Sequence, residues 1–240
     1  IHCHDCECGK FESINKAVIR LMCRYLLVLH IQGGNMELFL TSYLAGTKKL
    51  AEDFLSDLKV KEIVFIPTAS NVESYTKYVD EAIDTFRDLG YSLNILDISK
   101  REYAEIIDIL DVCECLYISG GNTFYLLQEL KKKELCELIR QRVSNGMLYM
   151  GESAGAIISA PDIEYNHIMD DKTVAKELKD YSGLALVDFY TLPHNKEYPF
   201  VESTEEILKV YKDKLKLLPI NNEEAIIVKD GKVEVKKEPS

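Results

Sequence analysis

The fold is indicated first by residues 147–158, which read Met147-Leu148-Tyr149-Met150-Gly151-Glu152-Ser153-Ala154-Gly155-Ala156-Ile157-Ile158. An apolar run leads into G-x-S-x-G and a second apolar run follows, which is the pattern of a nucleophile elbow between a strand and a helix. Glycines two positions either side of the serine let the strand and the helix approach without Cβ clashes. Such a turn exposes the serine hydroxyl and points the next N–H, that of Ala154, at a developing oxyanion. The alternative is a strand that ends in a small-residue turn.

Strand and helix patterns alternate around this elbow. Apolar, partly β-branched runs at 37–41, 61–66, 93–98 and 115–119 are separated by segments with helical spacing. Near-continuous apolar strands separated by helices indicate a parallel sheet that is covered on both faces. We therefore predict an α/β fold, with a doubly wound, mostly parallel sheet in a three-layer α/β/α sandwich.

Other elements follow from local signals. Ser99 is predicted to cap a helix that reaches Leu110. Downstream, the sequence predicts strands at 184–187 and 190–192, a helix over 199–216, and a hairpin formed by 217–220 and 225–228.

Composition excludes two classes of partner. The formal net charge of the 240 residues is −11, and no Lys/Arg-rich face offsets the carboxylates, so a nucleic-acid partner is not expected. No apolar run approaches the roughly 20 residues that a membrane span requires. We therefore expect a protein without a nucleic-acid or membrane partner, and we keep a homodimer as a candidate assembly.

The first 35 residues differ from the rest. They hold a Cys/His cluster at 2–8 whose spacing matches no common zinc site, and they lead through Gln32-Gly33-Gly34-Asn35 to Met36. We predict that residues 1–35 are a non-native or disordered leader and that 36–240 form one catalytic domain; a signal peptide around the apolar run 25–31 is the alternative. The other cysteines are Cys113, Cys115 and Cys136, which fit reduced thiols in the cytoplasm.

A serine needs a neighbouring base, most often histidine. Outside the leader the candidates are His194, which follows an apolar strand and a proline, and His167, in a polar segment. We favour His194. The imidazole then needs an acceptor. The acidic candidates are Asp162, Glu164, Asp170, Asp171, Glu197 and Glu223.

Open parallel sheets bind ligands beyond the carboxyl ends of their strands. Ser153, Gly120-Gly121 and the stretch 68–71 all follow predicted strands, so they are expected at one rim. The glycine pair is interpreted as a tight turn that also supplies an oxyanion donor, and a turn alone is the simpler alternative.

Three motifs in this order resemble the peptidase E (aspartyl dipeptidase) and cyanophycinase family of serine peptidases. They are Ser-Gly-Gly-Asn-Thr at 119–123, Gly-Glu-Ser-Ala-Gly-Ala at 151–156 and Leu-Pro-His at 192–194. The resemblance spans residues 36–240. It implies a fold related to class I glutamine amidotransferases, with serine in place of their elbow cysteine, and a triad in the chain order serine, acid, histidine.

Residue by residue, the resemblance implies Ser153 as nucleophile, His194 as base, and Gly121 and Ala154 as oxyanion donors. It implies an acid in the loop before the histidine, at Asp170 or Asp171, and the choice between them stays open. The neighbouring loop residues expected to bind substrate are Gly120, Asn122 and Thr123.

The expected activity is that of a serine exopeptidase, a dipeptidase acting on short peptides without metal or organic cofactor. The resemblance implies that an N-terminal aspartate would be held by an arginine downstream of the histidine, whereas this chain has no arginine after Arg142. Only Lys196 and later lysines could substitute as point charges, so strict aspartyl specificity is not expected. The alternatives are a carboxylic ester hydrolase, for which residues 154–240 leave little room, and a non-catalytic small-molecule binding protein on the same scaffold.

Overall fold

A seven-stranded sheet forms the centre of the structure, a computed structural model that describes residues 36–56 and 61–239. In chain order the strands are β1 Leu38–Thr41, β2 Glu62–Ile66, β3 Ser92–Ile95, β4 Cys115–Ile118, β5 Leu148–Glu152, β6 Tyr190–Leu192, β7 Leu217–Pro219, β8 Glu224–Lys229 and β9 Lys232–Lys237. The order in the sheet is β3-β2-β4-β5-β1-β8-β9. The first five strands are parallel, and β8 and β9 are antiparallel to their neighbours.

Helices cover both faces of this sheet. They are α1 Lys48–Ser56, α2 Lys77–Asp88, α3 Tyr103–Asp111, α4 Thr123–Lys132, α5 Leu135–Ser144, α6 Ala154–Ile157 and α7 Val201–Tyr211. Alternate strand residues point to opposite faces because the side-chain period of a strand is two. Phe39 and Phe65 pack with α1 and α2 on one side, whereas Leu38 and Ile66 pack with α3, α4 and α5 on the other. The predicted three-layer α/β/α class is confirmed.

The apolar pattern of the central strands explains their place. All residues of β1, β4 and β5 are buried, which matches strands covered by helices on both faces. Because β5 lies between β4 and β1, the turns that follow these three strands meet at one edge of the sheet. The elbow serine is thereby placed at the middle of that edge.

The end of the chain differs from the predicted hairpin. Residues 217–219 pair in parallel with β6, and the hairpin forms instead between β8 and β9 around Asp230-Gly231. The Ile220 N–H donates to the carbonyl of Leu192, and Asn195 N–H donates to Ile220, so this segment is bound to the β6 end rather than to β8. Residues 221–222 therefore do not connect the two strands of a hairpin, and they lie beside the loop after β6.

Three further boundaries are corrected. Residues 184–187 are not a strand, because their amides donate to carbonyls of residues 158–160 after α6. Ser99 does not cap α3; its N–H donates to the Asp97 carboxylate in a separate 3₁₀ turn, and α3 begins at Tyr103. The helix predicted over 199–216 is confined to Val201–Tyr211.

The predicted leader, residues 1–35, lies outside the described residues. Within residues 36–56 and 61–239, no helix has the length and apolar character needed to cross a membrane.

Candidate active site

Ser153 occupies a strained turn between β5 and α6. Its backbone angles, φ 46° and ψ −106°, fall where a residue with a side chain is rarely found. The flanking glycines permit this turn: a Cβ on Gly151 would lie 2.5 Å from the Gly155 carbonyl oxygen, and one on Gly155 would lie 2.1 Å from that of Ile118. The Ser153 N–H donates to the carbonyl of Thr41, at 2.9 Å. The predicted elbow geometry is therefore present, and it presents the hydroxyl at the sheet edge.

His194 lies opposite this hydroxyl. Its Nε2 is 3.0 Å from Ser153 Oγ, within hydrogen-bond distance. The loop that carries the ring is fixed by its backbone, because the His194 N–H donates to Ser42 Oγ at 3.0 Å. The ring also stacks on Phe200, with centroids 4.6 Å apart. The other candidate base, His167, is exposed, and its Nδ1 contacts the carbonyl oxygen of Glu164.

The second ring nitrogen of His194 contacts an amide. Nδ1 lies 2.9 Å from Asn222 Oδ1. Because an amide oxygen only accepts, Nδ1 carries the proton in this pair and Nε2 is left to accept from the Ser153 hydroxyl. Burial lowers the pKa of His194 to about 4, and the bond to Asn222 opposes that shift. The imidazole is therefore neutral near pH 7, as a general base must be.

Neither predicted aspartate contacts this histidine. Asp170 is partly buried against the first turn of α4, where its Oδ2 accepts from Thr123 N–H at 2.8 Å and from Asn166 Nδ2 at 2.9 Å. These hydrogen bonds and the N-terminal amides of the helix oppose the rise in the pKa of Asp170 that burial causes, but burial outweighs them. Asp171 is exposed and accepts from the Thr173 N–H and hydroxyl. The sequence predicts an aspartate in contact with His194. The structure instead has the side-chain amide of Asn222 in that position.

The remaining acidic candidates are also engaged elsewhere. Asp162 accepts from the Tyr190 hydroxyl, Glu164 is exposed, and Glu223 forms an ion pair with Lys237. Glu197 is the one among them in contact with the triad region, since it accepts from the backbone N–H of Asn222 at 3.5 Å.

The predicted oxyanion donors are the backbone amides of Ala154 and Gly121. Ala154 begins α6, and the first amides of a helix have no acceptor within that helix. Gly121 has φ +128°, and a Cβ there would lie 2.3 Å from the Ala69 carbonyl carbon, so only glycine lets this loop pack on the turn Thr68–Val72. A Cβ on Gly120 would lie 3.3 Å from Ser153 Cβ. The loop after β4 therefore runs directly beside the nucleophile.

Two residues expected to bind substrate have side chains that form hydrogen bonds within the protein. Asn122 is buried; its Oδ1 accepts from Tyr125 N–H and caps α4, while its Nδ2 donates to the Asp171 carbonyl. Thr123 is also buried, and its hydroxyl oxygen accepts from Asn166 Nδ2 at 3.2 Å. Both polar side chains are satisfied internally, so the structure assigns them to shaping the loop.

Two residues of the site are missed by reasoning from the sequence. Asn222 lies in a polar turn whose composition suggests only a hairpin. Glu152, immediately before the nucleophile, is 1% exposed and accepts from Leu44 N–H and from the Tyr117 hydroxyl. A signal for Glu152 does exist, because it is the one charged residue within the buried strand β5.

The chain is similar in sequence to known peptidases. Peptidase family S51 matches residues 30–236. An uncharacterized peptidase of Pasteurella multocida is 46% identical over 192 residues, which make up 80% of this chain and 93% of the relative. Peptidase E of Haemophilus influenzae is 36% identical over 124 residues, 51% of this chain and 55% of that protein.

Solved structures share the fold. A 1.5 Å crystal structure of a Listeria monocytogenes EGD-e protein, described as a candidate peptidase E, matches with a TM-score of 0.82 and 41% identity, over 86% of this chain and 100% of that one. A peptidase from an acI-B1 Actinobacterium matches in fold, with a TM-score of 0.64 and 21% identity. Together with the family match, these findings show that the chain belongs to peptidase family S51 and is a serine-type peptidase.

Proposed function

We propose that this protein is a serine exopeptidase that hydrolyses short peptides, with Ser153, His194 and Asn222 as its catalytic triad. The observation that carries the proposal is the 3.0 Å contact between Ser153 Oγ and His194 Nε2, made by a serine held in the strained elbow turn. A nucleophile and base at hydrogen-bond distance, with the base oriented by a third group, is the arrangement that activates a hydroxyl.

The reaction follows from these positions. Ser153 Oγ attacks the scissile carbonyl carbon while His194 Nε2 takes the hydroxyl proton. The N–H groups of Gly121 and Ala154 stabilise the oxyanion of the tetrahedral intermediate. His194 then gives the proton to the leaving amine, which departs and leaves an acyl-enzyme. A water molecule, deprotonated by the same Nε2, hydrolyses that ester and restores the serine.

The amide of Asn222 performs part of the work of a triad carboxylate. Its oxygen holds Nδ1–H and so fixes the tautomer and the ring orientation. A neutral amide does not compensate the charge of the imidazolium that forms during the reaction. Burial lowers the pKa of His194, and the hydrogen bond to Asn222 opposes that shift only in part. We therefore expect acylation to be slower than it would be with a carboxylate at this position.

We propose short peptides as substrates because several relatives are named peptidase E. We do not propose strict aspartyl specificity. Among the described residues, the arginines are engaged away from the site: Arg87 with Asp84, Arg101 with Glu105, Arg140 with Glu137 and Arg142 with the Asp111 carbonyl. A bidentate guanidinium is the group that best holds a substrate carboxylate. We propose a broad preference at the N-terminal residue of the peptide.

A dipeptide library analysed by mass spectrometry, with the parent protein and Ser153→Ala side by side, tests the proposal. A fluorophosphonate probe should label the parent and not the variant. Turnover of p-nitrophenyl esters without cleavage of any peptide would favour the ester hydrolase, and absence of labelling and turnover would favour a binding protein.

We also propose a cytoplasmic location, because the cysteines among the described residues, Cys113, Cys115 and Cys136, are free thiols.

A further inference from the structure

Glu152 is a buried carboxyl group with three hydrogen-bond donors around it. Its Oε1 accepts from the Leu44 N–H at 2.8 Å, and its Oε2 accepts from the Tyr117 hydroxyl at 2.7 Å. The backbone amide of Gly120 also faces this carboxyl and opposes the rise in its pKa. All three partners are neutral groups, so the burial of this charge is offset by hydrogen bonds alone.

These donors belong to separate parts of the site. Leu44 follows β1, in the loop whose Ser42 accepts from the His194 backbone. Gly120 begins the loop that carries the predicted oxyanion donor Gly121. Glu152 itself precedes Ser153 in the chain. One carboxylate therefore connects the nucleophile turn, the oxyanion loop and the loop that supports the base.

We propose that the ionised carboxylate of Glu152 is a positioning residue of this peptidase, which holds the Gly120-Gly121 loop and the Leu44 loop in the arrangement that catalysis by Ser153 requires. The inference rests on the serine peptidase function proposed above and adds a residue that acts through the backbone around the nucleophile.

The two backbone amides can only donate, whereas the tyrosine hydroxyl can donate or accept. In Glu152→Gln, the amide nitrogen either faces a backbone N–H, where a donor opposes a donor, or turns to the Tyr117 hydroxyl. In both cases the negative charge that strengthens the hydrogen bonds from the loops is lost. Protonation of the carboxyl has a similar effect, because one oxygen then carries a hydrogen.

Protonation of Glu152 takes place in an accessible pH range. Burial raises the pKa of Glu152 to about 7, against the opposing hydrogen bonds from Leu44, Tyr117 and Gly120. The titratable groups that face it are acidic or phenolic: Glu81 and Tyr78 on α2, Tyr43 after β1, and Tyr117 on β4. None of these supplies a positive charge that would keep the carboxyl ionised at lower pH.

The different pKa values of Glu152 and His194 allow their effects on activity to be distinguished in a pH profile. The pKa of His194 is lowered to about 4, so the base stays neutral well below pH 7. If catalysis needs the Glu152 carboxylate, kcat/KM falls as pH decreases through about 7. If it needs only neutral His194, kcat/KM falls near pH 4 instead.

The test compares the pH profile of kcat/KM for the parent, Glu152→Gln and Tyr117→Phe on one cleaved dipeptide. We expect Glu152→Gln to lose at least about tenfold in kcat/KM at high pH, since displaced oxyanion donors are worth about 10²–10³ in rate, and to lack the fall near pH 7. Tyr117→Phe should keep most of the activity at high pH. The decrease in kcat/KM should occur at a higher pH than in the parent, because a hydrogen bond that favours the carboxylate is removed. Glu129→Gln, at another buried carboxyl away from the site, is the matched control.

A second measurement does not depend on turnover. In Ser153→Ala, the NMR signals of the Gly120 and Gly121 amides should titrate with a midpoint near 7, and adding Glu152→Gln should abolish that titration. Glu152→Gln with the parent profile, or glycine amides that do not respond between pH 5 and 9, would overturn the inference. A parent protein that cleaves no peptide would defeat the proposed function, and the amide titration would still decide the role of Glu152. If Glu152→Gln does not fold, the direction of the Tyr117→Phe shift decides it.

Discussion

His194 Nδ1 lies 2.9 Å from the side-chain oxygen of Asn222, so a neutral amide orients the ring that we propose as the base of this serine peptidase. In a triad with aspartate, the acid both holds the ring and stabilises its charge. Here the two tasks are separated, because the amide holds the ring while burial keeps it neutral, with a pKa of about 4. The consequences can be measured at Asn222 itself.

Replacing Asn222 should distinguish orientation from charge. We expect Asn222→Ala to lose about 10²-fold or more in kcat/KM, because the tautomer and ring position are no longer fixed. Asn222→Asp should retain activity and raise the pKa of His194, since a nearby carboxylate favours the imidazolium. NMR titration of the His194 ring in a Ser153→Ala background measures that pKa. An unchanged pKa in Asn222→Asp would show that residue 222 does not contact the ring in solution.

The turn that carries Asn222 depends on close packing against Gly46. A Cβ at position 46 would lie 2.1 Å from the Asn222 carbonyl oxygen, a backbone atom that cannot move alone. Gly46→Ala should therefore displace the turn and lower kcat/KM by an amount approaching that of Asn222→Ala. Activity assays on both variants and on their combination check this, and fully additive losses in the double variant would argue against a shared cause.

Ser153 and His194 should behave as one unit. Ser153→Ala is expected to preserve the fold and to reduce peptidase activity by about 10⁶-fold, with a comparable loss for His194→Ala. The double variant should be scarcely worse than either single variant. Circular dichroism confirms folding, and residual activity of Ser153→Ala above a few per cent of the parent would place the chemistry elsewhere.

The partly buried Asp170 should govern stability more than catalysis. Burial raises its pKa from 3.8 to about 6, so the folded state binds the proton more tightly than the unfolded state. The contribution of this group to stability is therefore present at low pH and is lost as pH rises through about 6.

Asparagine at position 170 does not titrate. The free energy of unfolding of Asp170→Asn, taken relative to that of the parent, should therefore increase by about 1–3 kcal/mol when the pH is raised from 4 to 8. Urea unfolding at both pH values measures this gain. Asp171→Asn is the control, because the pKa of that exposed carboxyl is lowered by Thr173 and its smaller effect should have the opposite sign. Both variants should keep most of their activity; a loss of several orders of magnitude in either would identify it as the triad acid after all.

Substrate preference should be broad. Without an arginine at the described site, the discrimination between Asp-, Asn- and Ala-initiated dipeptides is expected to stay within about a hundredfold in kcat/KM. Competition assays with the three peptides in one mixture measure the ratio directly. A thousandfold preference for aspartate would contradict this prediction.

Much of the architecture could be predicted because it depends on local pattern. The apolar strands, the glycines around Ser153 and the loop at Gly120-Gly121 each satisfy a steric requirement that is visible in a few consecutive residues. His194 could be predicted because few histidines compete for the role. These features follow from periodicity, from backbone sterics and from the scarcity of one residue type.

Other features depend on where distant segments meet. Asn222 reaches His194 because residues 217–219 pair in parallel with β6 instead of turning back on β8, a choice between two apolar partners that local sequence does not distinguish. Asp170 is removed from the histidine because a helix N-terminus offers its carboxylate amide donors. The sequence by itself determined the layers and the elbow turn at Ser153; the tertiary structure decided which polar side chains meet, because hydrogen-bond partners are set by packing of segments far apart in the chain.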